Sequence, residues 1–136
     1  MSPDTARVIE VADFREQLRR FMRQSERIAR QSGLTPQRYL LLLMIKGARD
    51  GSEQSTVTEL ADRLQLAQST VTELVSRAEE IGLVERSRSS DDGRIAIQRL
   101  TDEGERRLAD VFTSNDRERH ALGQAFEHLQ STGLPT

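Results

Sequence analysis

A mainly α-helical fold with one small β-wing is what this sequence predicts, on three observations. A short apolar-striped segment, a three-residue break and a longer apolar-striped segment follow one another over residues 56–81. Two runs suited to strands, 83–87 and 95–100, come directly after and flank a charged loop with Asp92-Gly93 as its turn signal. Segments with apolar residues at helical spacing occupy both ends of the chain, at 7–32 and 101–131. The first two observations describe a helix-turn-helix with a hairpin wing, a lobe of residues 35–100 inside a single domain of 136 residues.

The elements can be justified in order. Residues 7–31 read as one long helix, in which Phe14, Leu18, Phe21, Met22, Ser25, Ile28 and Ala29 keep helical spacing. The same helix carries Arg15, Arg19, Arg20, Arg23, Arg27 and Arg30, expected as a solvated face paired with Asp13, Glu16 and Glu26, with phosphate binding as the functional alternative. Gly33 stops it. Thr35 then caps a second helix with Pro36 at its first position. Residues 39–45, YLLLLMI, are apolar nearly all round, so this helix is expected at the centre of the core. Residues 46–55 contain Asp50-Gly51-Ser52 and read as a loop with room for a short strand beside the wing.

The helix-turn-helix starts at Thr56, which with Glu59 forms a capping box. Leu60, Ala61 and Leu64 make the first stripe, and Gln65, Leu66 and Ala67 make the turn. The second helix runs from Gln68 to Ile81. Val71, Leu74, Val75, Ala78 and Ile81 are its expected buried face. Ser69, Thr72, Glu73, Ser76 and Glu80 lie opposite, with Gln68 and Arg77 on the flanks. Short polar side chains on the first two turns suit a helix whose N-terminal end enters a DNA major groove. Gly82 ends it as a C′ residue. In the second wing strand Ile95, Ile97 and Arg99 alternate with Ala96, Gln98 and Leu100, and Arg86, Arg88 and Arg94 line the loop. Thr101 caps the next helix, with Asp102, Glu103 and Glu105 at its positive end and Leu108, Val111 and Phe112 as its stripe. Residues 114–116, Ser-Asn-Asp, interrupt it. Leu122, Ala125, Phe126 and Leu129 form a last amphipathic helix ending near Gly133.

Three stretches resemble the MarR (multiple antibiotic resistance regulator) family of transcriptional regulators: LTPQRYLLLLMI at 34–45, TVTELADRLQLAQSTVTELVSRAEEIGLVER at 56–86, and DGRIAIQRLTDEG at 92–104. The Asp-x-Arg, strand, Leu-Thr-x-x-Gly sequence is the most specific of them. The resemblance spans nearly the whole chain. It implies a winged helix-turn-helix lobe plus a helical dimerisation region, in which the helices at 7–32 and 101–131 intertwine with those of a second copy. It implies a homodimer on palindromic double-stranded DNA, a repressor by expectation, released by a small aromatic or anionic ligand. The residues expected to read bases are Gln68, Ser69, Thr72, Glu73 and Ser76, with Arg77, Arg86 and Arg88 on the backbone. In the family the arginine of Asp-x-Arg reaches the minor groove or its phosphates, here Arg94, with Asp92 placed to hold its guanidinium as a fork. An effector pocket implied between the dimer helices and the DNA lobe would take Phe14, Phe21 and Tyr39, with Arg15 or Arg38 to pair an organic anion.

Composition bounds the alternatives. The formal net charge is −2 with 31% charged residues, a balance that argues mildly against nucleic acid and leaves a rival reading. In that alternative the winged helix is a protein-interaction module whose DNA binding is weakened or lost. Ala67, where a Ser or Asp cap is usual, and Glu73 in the groove-facing row point the same way. The chain has no cysteine, which excludes disulfides, a thiol redox sensor and cysteine-ligated metals. No apolar run is long enough to span a membrane, and the N-terminus is charged too early for a secretory signal, so the expected location is cytoplasmic. His120 and His128 would stand roughly 12 Å apart on a helix, too far to chelate one metal. No nucleophile triad or phosphate loop occurs, and Asp91-Asp92 sits on an exposed hairpin with no apolar wall to shift a pKa. The reading is therefore not an enzyme, with no cofactor and no metal.

Overall fold

The computed structural model describes residues 2–89, 91 and 93–133. Six helices and three strands follow in the order α1 (Thr5–Gln31), α2 (Pro36–Lys46), β1 (Gln54–Ser55), α3 (Val57–Leu64), α4 (Gln68–Glu80), β2 (Val84–Arg88), β3 (Ala96–Leu100), α5 (Asp102–Ser114) and α6 (Asp116–Gly133) among the described residues. The sheet is antiparallel with strand order β1-β3-β2. The fold is mainly helical with a small β-wing, as the sequence predicts.

The core forms around α2. Leu41, Leu42 and Ile45 are fully buried and meet Leu60 of α3, Val71 and Val75 of α4 and Val111 of α5. An all-round apolar helix can only be satisfied at such a crossing point. Leu40 is the exception, on the side α2 leaves to solvent. Outside this core, α1 lies along α6, with the Phe14 and Phe126 rings 6.0 Å apart. Polar ties reinforce the junctions between elements. The Lys46 ammonium bonds Glu105 and Glu53, both at about 3 Å, and these partners hold its pKa above the usual lysine value. Arg107 of α5 donates to the Ser32 carbonyl at 3.0 Å.

Local chemistry sets the helix boundaries. Both halves of the α3 capping box form, with Thr56 Oγ1 accepting from the Glu59 N–H at 3.2 Å and Glu59 Oε1 accepting from the Thr56 N–H at 3.0 Å. Gly82, at φ +77°, closes α4 in a Schellman motif: its N–H bonds the Glu79 carbonyl and the Leu83 N–H bonds the Ala78 carbonyl. Thr101 caps α5 by accepting from the Gly104 N–H at 3.1 Å.

Two expectations need correction. Ile81 is 53% exposed and does not extend the buried face of α4, because the helix ends at Glu80 and Ile81 is already the turning cap residue. On α1, among the described residues, only Arg20 makes an ion pair with the helix's own acids, to Glu16 at 2.7 Å; Asp13 and Glu26 pair with none of its arginines. The i,i+3 and i,i+4 geometry permitted the other pairs, but exposed pairs of long side chains gain little over solvation.

The wing buries its Ala96, Gln98 and Leu100 face, because Leu100 pairs with buried Val84 and the period-2 pleat carries the choice along the strand. Gln98, opposite buried Ser55 in β1, is consequently 1% exposed, and neither of its amide atoms has a protein hydrogen-bond partner. Burying an unbonded amide costs about 1–3 kcal/mol. Gln98→Met, close in shape and without the amide, is expected to raise the melting temperature by several degrees in a calorimetric scan; a lower value would show that the amide is satisfied in solution.

Candidate nucleic-acid interface

The geometry of α4 follows from its buried side. With Val71, Val75 and Ala78 in the core, the helical repeat turns Gln68, Ser69, Thr70, Thr72 and Glu73 outward, and all five are exposed; Ser76 is half-buried. At the N-terminus Ala67 is extended, at φ −64° and ψ 148°, and supplies no side-chain cap. The first-turn N–H groups are therefore left to an outside acceptor at the positive end of the helix dipole.

The arginines of α4 and the wing have specific partners. Arg77 bonds Glu73 one turn away at 3.0 Å, so the carboxylate in the exposed polar row is balanced from its own helix. Arg86 lies 3.7 Å from Glu79. Across the hairpin Arg88 donates to the Arg94 carbonyl at 3.3 Å, and the Ser89 N–H bonds the Ile95 carbonyl at 2.8 Å, so the base of the wing is closed. Arg86, Arg88 and Arg94 are all exposed. Asp92 lies outside the described residues, and with it the Asp92–Arg94 fork. Beside α4 runs a groove of about 610 Å³ with Arg30, Thr35 and Arg38 on one wall and Thr70, Glu73 and Arg77 on the other. Thr70 escaped the sequence reading, and Arg30 was read there only as part of the charged face of the first helix. Thr70 lies between the polar row and the core stripe, and Arg30 is remote in sequence and arrives only through the packing of α1.

The five residues expected around an effector do not share one cavity among the described residues. Tyr39 is in the core, where burial pushes its hydroxyl above the usual tyrosine pKa and Arg119 pulls it back. Phe14 is against Phe126, and Phe21 is half-buried on α1. Arg38 lines the groove beside α4, and Arg15 lines a separate groove along α1. Among the described residues no group of His, Asp and Glu could hold a metal ion, and no helix is long and apolar enough to cross a membrane.

A helical core carrying a helix-turn-helix, an uncapped polar second helix and a three-stranded wing defines a winged helix-turn-helix protein. The model of the MarR family matches residues 32–95, which cover α2 to the wing loop. By this match and by its structural neighbours the chain is similar to the MarR family of transcriptional regulators. No curated protein matches the sequence. Among solved structures, a MarR family protein from Bacillus stearothermophilus is 26% identical, with a TM-score of 0.73 over 89% of this chain and 82% of that one. The PcaV transcriptional regulator of Streptomyces coelicolor, solved with its natural ligand, is 29% identical, with a TM-score of 0.54 over 64% of this chain and 59% of that one. A mutant of MarR from E. coli, solved with operator DNA, shares the fold at 19% identity, with a TM-score of 0.68 over 98% of this chain and all (100%) of that one.

Proposed function

We propose that the chain is a sequence-specific regulator of transcription, a repressor that binds a palindromic operator in double-stranded DNA as a homodimer. The lobe at 35–100 would bind DNA, and the helices at 7–32 and 101–131 would pair two copies. The observation that carries this reading is the exposed row of short polar side chains on the first two turns of α4, beside an arginine-bearing wing. Gln68 can bond adenine bidentately, Ser69, Thr72 and Ser76 can reach several base edges, and Glu73 can accept from cytosine N4 if it leaves Arg77. Arg77, Arg86, Arg88 and Arg94 are assigned to phosphates or the minor groove.

Selection from a random duplex library is the direct test. It should enrich one palindrome whose half-site centres are about 34 Å apart. Thr72→Ala is expected to cost about 1–3 kcal/mol on that site and to relax preference at one position in each half-site. Arg94→Ala should leave the melting temperature nearly unchanged, weaken binding to all sequences, and flatten the salt slope by about 1 per subunit. An Arg94 variant that melts earlier yet binds as tightly would mark the residue as a hairpin staple. For the effector, an aromatic acid should shift the melting temperature and DNA affinity together, through Arg15 or Arg38. A panel that shifts neither leaves regulation without a ligand.

The acid partners of Arg77 and Arg86 favour a second reading, an interaction module for another protein, because they neutralise two of the cations that phosphate binding needs. A gel shift on random DNA at low salt separates the two readings, since a regulator retains weak non-specific binding there and the module does not.

A further inference from the structure

One feature of α1 has no role in the core. Arg15, Arg19, Arg23, Arg27 and Arg30 line a groove of about 900 Å³ along its exposed side, in which Glu26 is the only acid among the described residues. Helical spacing gathers the five within roughly a third of the circumference and strings them over about 22 Å of axis. Among the described residues Arg15, Arg19, Arg23 and Arg30 form no ion pair, and Arg27 bonds only the neutral Gln24, at 3.2 Å. Like charges four residues apart oppose helix formation. In a chain of net charge −2, such a concentration of one sign calls for an anion.

The face is also continuous with the proposed DNA interface. Glu26 and Arg30 line both this groove and the one whose far wall is Thr70, Glu73 and Arg77 of the recognition helix. We infer that the arginine face of α1 is a second phosphate-binding surface, which engages the DNA backbone beyond the half-site read by α4. The length of the stripe decides for a polyanion: a single carboxylate occupies one or two guanidinium groups, whereas duplex DNA offers a charge about every 1.7 Å of axis. The inference rests on the reading of the protein as a DNA-binding regulator, and its test keeps the two apart.

The test compares the parent with Arg19→Gln/Arg23→Gln on the duplex selected by the parent and on a random duplex, between about 50 and 200 mM salt. Both substitutions are on the exposed face and keep a good helix former, so the melting temperature is expected to hold or rise. The log–log salt slope should flatten by about 2 per subunit, with affinity falling alike on both duplexes and the selected sequence unchanged. Arg19→Lys/Arg23→Lys should recover the slope, because the contact is one of charge. A parent slope in the glutamine variant overturns the inference while leaving the regulator reading intact; failure of the parent to select any sequence removes the regulator reading itself. If the glutamine variant loses half its sedimenting mass, the face meets a second copy of the chain. If it keeps its DNA slope but loses a benzoate-induced shift in melting temperature, the face is a small-anion site. Either result overturns the inference.

Discussion

Gly104→Ala is expected to lower the melting temperature by about 10 °C or more and to abolish operator binding at temperatures where the parent is active. A Cβ at this position would overlap the carbonyl oxygen of Leu83 and stand 3.1 Å from its carbon and 3.4 Å from the Leu100 Cβ. The obstacle is backbone, held there because the Leu83 carbonyl accepts from the Thr101 N–H at 3.0 Å while Thr101 Oγ1 donates to the Gly82 carbonyl at 2.5 Å. The first turn of α5 is thus clamped to the corner where α4 ends, and neither side can yield alone. Overpacking of this kind costs about 3 kcal/mol, and in a chain of this size each kcal/mol moves the midpoint by roughly 3–4 °C. Gly123→Ala is the internal comparison. It is in α6 with nothing within 4 Å of its would-be Cβ, so the same substitution should stabilise by about 0.5–1 kcal/mol. Equal melting temperatures for the two variants would show that the α5 contact is loose.

Ile9→Glu/Phe126→Glu is expected to halve the sedimenting mass at micromolar concentration and to weaken operator binding by about 100-fold or more, the advantage of holding two half-sites at once. The physical ground is the α1–α6 pair. Val8, Ile9 and Val11 in the first turns of α1 and Phe126 on α6 are large apolar side chains left 42–55% exposed on packed helices. The homodimer proposed above would cover these side chains. A folded double variant that sediments like the parent and keeps its affinity would place the dimer contact elsewhere.

The divide between what was legible in the residues and what was not runs along the range of the forces. Local chemistry was legible. Thr56 with Glu59, Thr35 with Pro36, Gly82 and Thr101 each mark a helix end by bonds within three or four residues, and the structure makes those bonds. The exposed row of α4 was legible for the same reason, since the core stripe of one helix dictates its opposite face. The choice of wing face was not. Ile95 and Ile97 look the better core candidates, yet pairing of β3 with Val84 on one side and Ser55 on the other buries Gln98 and leaves Ile95 42% exposed. Nor could Leu-Thr-x-x-Gly explain itself, because the reason for its glycine is a carbonyl 21 positions earlier. Likewise, sequence spacing placed Arg15, Arg19, Arg20, Arg23, Arg27 and Arg30 on α1, but only the tertiary packing brings Arg30 to the groove it shares with Thr70, Glu73 and Arg77 of α4. By itself the sequence determined helix limits, the winged architecture and the family resemblance. Register, close backbone approach and the joining of distant charges needed the tertiary structure, because each depends on contacts between segments that the periodicity of one segment cannot encode.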